Sequence, residues 1–390
     1  MREEQTHNRL WIVMLVVLGG AAVISLVLGI RHAFEYGSHD LQWSDARLLS
    51  QHIDPWQEQL SRLPHHPSHF SPPNYLHLFY LLLLPCGLLS FHTAQIVWCV
   101  GNICLSILVV LLLQRLFSLD RFQTTLVLCL LWMSAPFRVT LEVGQVSLFE
   151  LFFFCAAYVA LSTWLSGICL GFSLVKYSFS PVVGLLFLLR GRIRLLLIAA
   201  GVLVVGLIGV HLLLPTPLLR LAAEPFLVSR VAVNPGIADL MTFTEYFFTY
   251  LGANARAVNL SYAVAFACSL LYTIFLSRFR LSKGAELTLV SLASLFLFKH
   301  LIYDYVFLAI PLSYALSRYS SRRSRPVFLG IFVFWFLATF LNRAIHGFNV
   351  NLVGLAINVG LLAVLLAYTT YFVIQEESRT RETPDAEARP

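Results

Sequence analysis

Few residues in this chain could do chemistry, and most lie where an apolar sequence turns polar. The stretch Ser38-His-Asp-Leu-Gln-Trp-Ser-Asp-Ala-Arg-Leu-Leu49 gathers two carboxylates, a histidine, a tryptophan and an arginine. Asp40 in this stretch has the chemistry of a general base: a carboxylate at a membrane surface can take a proton from an acceptor hydroxyl. Its competing role is to cap a helix that starts at Leu41. Trp43, Asp45 and Arg47 suit substrate contacts, or else Asp45 and Arg47 form a solvated helical pair.

Lys176 falls near the middle of an apolar stretch of 25 residues, where a charge is costly unless it is used. It would offer a point charge to a phosphate, or else snorkel to the interface. Lys299, His300 and Asp304 cluster at a span boundary, where they either bind phosphate and orient an acceptor or form an ordinary turn. Gln145, after Gly144, is a polar amide near a helix start. His65-His66-x-x-His69 has the look of a metal cluster, but Pro64 and Pro67 oppose the helix that would align it, so a solvated loop and no metal are expected. No P-loop, G-x-S-x-G or dinucleotide fingerprint stands in a strand–turn–helix context, so nucleotide is not expected as the direct substrate.

The elements that must hold these residues are membrane helices. The chain of 390 residues is 58% hydrophobic and 12% charged, against about 25% charged in soluble proteins. Apolar runs recur from Leu10 to Ile374, long enough to cross about 30 Å of hydrocarbon. The expected class is all-α and polytopic, with about 12 transmembrane helices in a single domain over 1–374. The net charge of +7 sits in short loops that set topology rather than marking a nucleic-acid partner. The seven cysteines lie in apolar segments without a C-x-x-C, so neither a disulfide framework nor a zinc site is expected.

Span 1 is expected at about 11–30, retained rather than cleaved. Long external loops are expected at 31–73 and 215–256, the second with an interfacial helix near Phe243–Tyr250, and a disordered cytoplasmic tail at 375–390. Segment 123–140 reads as one span. Segment 74–90 is ambiguous. If it crosses, Arg115 and Arg121 face outside. If it does not, 164–190 must be two short helices meeting at Lys176, each of about 15–20 Å. The positive-inside rule favours the second arrangement. That arrangement also brings Asp40, Gln145, Lys176 and His300 toward one face, and broken helices are tolerated where they line a cavity. Gly167-x-x-x-Gly171 just before the break suits tight helix packing.

Asp40-Leu-Gln-Trp43, Asp45-Ala-Arg-Leu-Leu, Ser71-Pro-Pro-Asn-Tyr75 and Leu84-Pro85 before Trp98 and Asn102 follow one another in an order that resembles glycosyltransferase family 87. Gly144-Gln145-x-Ser-Leu, Gly167-x-x-x-Gly171 to Lys176, and His300-x-x-x-Asp304-Tyr continue the resemblance, which covers about 30–320. It implies a membrane-embedded GT-C enzyme, typified by polyprenol-phosphate-mannose-dependent α-1,2-mannosyltransferases, with juxtamembrane helices in the first external loop. Asp40 would be the catalytic base, and Lys176, Lys299 and His300 would meet the donor phosphate. Trp43, Asp45, Arg47, Gln145 and Asp304 would contact substrate. The implied partners are a polyprenyl-phosphate sugar donor, a lipid or glycan acceptor and membrane lipids, with no obligatory metal or other cofactor. The implied setting is the cell inner (plasma) membrane, multi-pass, with both termini cytoplasmic. A transporter or flippase is the alternative from another class. It would explain buried charge but predicts inverted repeats and midplane sites. A transferase holding a metal on Asp40, Asp45 or Asp54 is a third reading.

Overall fold

The computed structural model describes residues 2–35, 41–61, 72–231, 236–253, 256–319, 321–338 and 352–382. Asp40, the histidines at 65, 66 and 69, and Ser71 lie outside the described residues. Everything regular among the described residues is helical. In chain order α1 is Arg2–Glu35, α2 Trp43–Ser50, α3 Pro55–Ser61, α4 His77–Gly87 and α5 Phe91–Phe117. Next come α6 (Arg121–Met133), α7 (Ala135–Val143), α8 (Ser147–Val159), α9 (Thr163–Ser173), α10 (Ser180–Leu189) and α11 (Ile193–His211). They are followed by α12 (Leu218–Val231), α13 (Leu240–Tyr250), α14 (Ala257–Ser277), α15 (Lys283–Leu297), α16 (Ala309–Ser317), α17 (Ser324–Val333) and α18 (Leu352–Glu382).

Five of these helices are long and apolar enough to cross a membrane: Leu15–Glu35 within α1, α5, α11, α14 and Val353–Arg379 within α18. The count is seven if each of two bent pairs is one span. The chain is therefore a polytopic integral membrane protein. Several expectations are corrected in detail. The first helix outruns 11–30 at both ends. Segment 123–140 is not straight: it bends by 57° between α6 and α7. Ser134 makes the bend by accepting the Phe137 N–H on its Oγ at 3.3 Å, with Pro136 in the first turn after it. The second long loop carries two helices, α12 as well as the expected one at α13. The last helix runs on to Glu382, through the first eight residues of the expected disordered tail. Its end is held by Glu377, which accepts the Ser282 N–H at 2.9 Å and the Ser282 hydroxyl at 2.7 Å.

The feature that positions the site is the second bent pair. α9 and the segment Tyr177–Leu189 meet at 118°, with Lys176 in the turn between them. An 11-residue helix is only about 16 Å long, so neither arm crosses a bilayer alone. α9 is clamped to α11 through Gly167 and Gly171. A Cβ at Gly171 would lie 2.7 Å from the Val202 Cβ and 3.0 Å from the Ala199 carbonyl, and one at Gly167 would lie 2.7 Å from the Ile198 Cβ. The small residues spaced by four thus let the two backbones touch, as their spacing predicts. α15 is buried on every side although it carries Glu286, Thr288, Ser291 and Ser294.

Candidate functional site

At the 118° bend three elements converge on Asp304, which is fully buried. One Asp304 oxygen accepts Lys176 Nζ at 2.5 Å and the Ser147 hydroxyl at 2.7 Å. The other accepts the Leu301 N–H at 3.1 Å and faces His300 Nδ1 at 3.2 Å. The residues come from the bend (Lys176), the first residue of α8 (Ser147) and the 3₁₀ turn Ile302–Leu308 with its lead-in (His300, Leu301, Asp304). A carboxylate buried this deeply is stable only when paired and hydrogen-bonded, and here it has donors on both oxygens. Lys176 also stands 4.9 Å from the centre of the Tyr303 ring, a cation–π contact. Phe179 packs on His300 at 4.5 Å and stacks on Phe307 at 4.0 Å between ring centres, which shields the pair from water. His300 Nε2 is buried, and the ring lies against the Ser294 backbone.

Glu150, one turn along α8 from Ser147, adds a second buried carboxylate near Lys176 and Asp304, with neither oxygen hydrogen-bonded. Sequence reasoning missed both Ser147 and Glu150. Ser147 belonged to a motif that was read for its glycine and glutamine. The signal for Glu150 was available: an acid inside a 13-residue apolar helix.

A second set of bonds joins the long loop after α1 to this cluster. The Leu76 N–H donates to the Val175 carbonyl at 2.8 Å, tying the chain before α4 to the bend. The Tyr75 hydroxyl donates to Gln145 Oε1 at 2.8 Å, and the Tyr80 hydroxyl donates to Gln42 Oε1 at 2.8 Å. The Tyr75 N–H reaches the Tyr80 hydroxyl at 3.4 Å. Gln42 is thus linked through Tyr80 and Tyr75 to Gln145, two residues before Ser147. Trp98 on α5 donates to the Gly144 carbonyl at 2.8 Å and fixes that corner. Gly144 itself has φ of 71°, the left-handed conformation that ends α7.

The sequence-predicted residues divide accordingly. Lys176, His300 and Asp304 are brought together, with Gln145 beside them. Trp43 and Arg47 share α2, with the guanidinium 5.3 Å from the ring centre, and the Trp43 indole donates to the Leu89 carbonyl at 3.1 Å. Asp45 does not pair with Arg47. It turns inward, fully buried, with no hydrogen-bond partner among the described residues, and burial holds its carboxyl well above the usual range. Lys299 does not join Asp304. It is the cation beside Asp239, which caps α13 by accepting the Thr242 N–H at 2.6 Å and whose carboxyl burial pushes up to about 7. Among the described residues no three His, Cys, Asp or Glu side chains gather as a metal site would require.

The profile of glycosyltransferase family 87 matches residues 75–311, more than half of the chain and the part that holds the whole Asp304 cluster. No curated protein matches it.

Proposed function

The chain belongs to glycosyltransferase family 87 and is a membrane glycosyltransferase, and from that premise we propose the reaction it performs. A hexose, first of all mannose, moves from a polyprenyl-monophosphate carrier to a hydroxyl of a lipid or glycan acceptor at the external membrane face, within a GT-C scaffold of about 12 spans. The observation that carries the reading is the ammonium of Lys176, held at a broken helix inside the matched region beside His300.

The charge balance gives that ammonium its work. A sugar-phosphate diester carries one negative charge, and the polyprenyl phosphate that leaves carries up to two. Asp40 takes the proton of the acceptor hydroxyl, the oxygen attacks the anomeric carbon, and the bond from that carbon to the phosphate oxygen breaks with inversion. The added charge on the leaving phosphate is met by Lys176, with His300 beside it, in a site shielded by Phe179 and Phe307. Charge that develops in a dry, preorganised site is stabilised more than it would be in water. What supports Asp40 as the base is its place in the sequence, two residues before Gln42, whose hydrogen-bonded chain leads to Gln145 and so to the Lys176 cluster. Trp43, Asp45, Arg47 and Gln145 then contact sugar or acceptor. Lys299, beside Asp239, keeps a supporting role at the edge of the donor phosphate.

Transfer of labelled mannose from polyprenyl-phosphate mannose to membrane lipid and glycan tests the proposal, with purified wild type run beside Asp40→Asn and Lys176→Gln. Wild type transfers label, and both variants fall by about 10²–10⁴, the usual worth of a positioned base or charge. Near-normal turnover by Asp40→Asn would remove the base, and near-normal turnover by Lys176→Gln would remove the phosphate contact.

A further inference from the structure

The helices that meet at Asp304 run on to a second cavity at their opposite ends. α5 delivers Arg115 to it, α8 Tyr158, α15 Lys283, and α16 Tyr314 with Arg318 just beyond. The 15 residues of α15 separate the two places by roughly 20 Å. The cavity holds about 560 Å³, within the roughly 300–1,000 Å³ range of small-molecule sites. Leu161, on its wall, is 92% exposed, so one side of the cavity is apolar and open to its surroundings.

Its lining carries three cations and no carboxylate. Arg115, Lys283 and Arg318 enter no ion pair among the described residues. The carboxylates nearby are Glu286, Glu376 and Glu377, the last two close enough to act on Tyr314. Glu286 is held by Arg190 and by Arg192 at 2.7 Å, Glu377 by Ser282, and Glu376 by Arg379 at 3.7 Å. The hydroxyl of Tyr314, a residue only 2% exposed, lies against the Arg318 guanidinium. Neither it nor the buried Arg318 Nε has a partner of standard geometry among the described residues. Weakly satisfied buried donors are costly, and a phosphate oxygen would accept from both. Basic pockets between membrane helices recognise lipid phosphates by this chemistry.

We propose that this cavity is a second site, distinct from the Asp304 cluster, which binds a phosphate group. Arg115, Lys283 and Arg318 supply the charge, and Tyr314 donates to a phosphate oxygen. The group is carried either by an anionic lipid of the adjacent leaflet or by a soluble phosphate compound.

Two probes distinguish these sources: inorganic phosphate titrated onto detergent-purified protein, and nanodiscs of phosphatidylglycerol compared with phosphatidylcholine. Thermal midpoint and the lipid retained in native mass spectrometry are the readouts. The variants are Arg115→Gln with Lys283→Gln, both exposed side chains, and Arg318→Gln. Arg121→Gln, outside the cavity wall, is the control, and transfer activity reports the fold. Each lost contact weakens binding by about tenfold, while Arg121→Gln matches wild type. A response to phosphatidylglycerol alone assigns the lipid, a response to inorganic phosphate alone assigns a soluble ligand, and a response to both assigns the group itself. Wild type indifferent to both probes, or variants that respond as wild type does, would overturn the proposal.

Discussion

Asp304 is a single side chain on which four donors depend, so its removal and the removal of Lys176 are not equivalent. Asp304→Leu leaves the Lys176 ammonium, the Ser147 hydroxyl, the Leu301 N–H and His300 Nδ1 without their acceptor. Breaking a buried pair by deleting one partner costs about 3–5 kcal/mol, and Asp304→Leu belongs at the top of that range. Lys176→Met costs less, because Asp304 keeps three other donors and can take up a proton. The double variant Lys176→Met/Asp304→Leu replaces the pair with apolar side chains, so its loss falls short of the sum of the singles by about 1–3 kcal/mol. The assay is the thermal midpoint of the detergent-solubilised protein for wild type, both singles and the double, each also measured for sugar transfer. Stability returns partly in the double, while transfer stays lost, because the phosphate contact is absent in both. Strictly additive midpoints would refute the ion pair as an energetic unit. Transfer regained by the double would refute the role of Lys176 at the phosphate.

Three further outcomes follow from the same structure. Gly171→Val drives a side chain into Val202 and the Ala199 carbonyl and costs about 1–3 kcal/mol as overpacking. Gly101→Ala on α5 meets open space and gains about 0.5–1 kcal/mol; thermal midpoints that fail to separate in opposite directions would count against the α9–α11 clamp. Glu224, buried beside Asp54 on the loop helix α12, has its carboxyl pushed up to about 7 by burial, then by Asp54. The folded state therefore binds its proton more tightly than the unfolded chain does. This stabilisation is whole below about 4.5 and lost as pH rises through 7. Limited proteolysis of the 215–256 region should accelerate from pH 5 to 8 in wild type and less so in Glu224→Gln, and two identical profiles would contradict this. Asp45→Asn keeps the shape of a buried carboxyl that has no hydrogen-bond partner among the described residues; it should leave stability unchanged or raised while increasing KM, and a fall in stability with unchanged KM would make Asp45 structural.

How much of this was legible in the sequence depended on whether the cost was local. The break at Lys176 could be read because a cation amid apolar residues must be satisfied somewhere, and because loop charges opposed the alternative topology. The clamp at Gly167 and Gly171 could be read because residues four apart share a helix face. The bend at Ser134 carried its own signal, a Ser two residues before Pro136, but the surrounding run of apolar residues reads as one unbroken span. The end of α18 looks solvated in composition. What holds it is Glu377 against Ser282, 95 residues away in sequence, which no local pattern contains.

The Asp304 cluster shows the same limit from the other side. Lys176 and Asp304 each stand out as a charge too costly to bury unused, yet they are 128 residues apart, and nothing in either neighbourhood names the other. Burial cost identifies which residues need a partner, and only the fold says which partner each one gets. The same reasoning separates the two ends of the molecule. Among the described residues of the Asp304 end, Lys176 and Asp304 have found each other and Glu150 has no hydrogen-bond partner. At the basic end Arg115, Lys283 and Arg318 enter no ion pair among the described residues, so the cavity they line suits an anion.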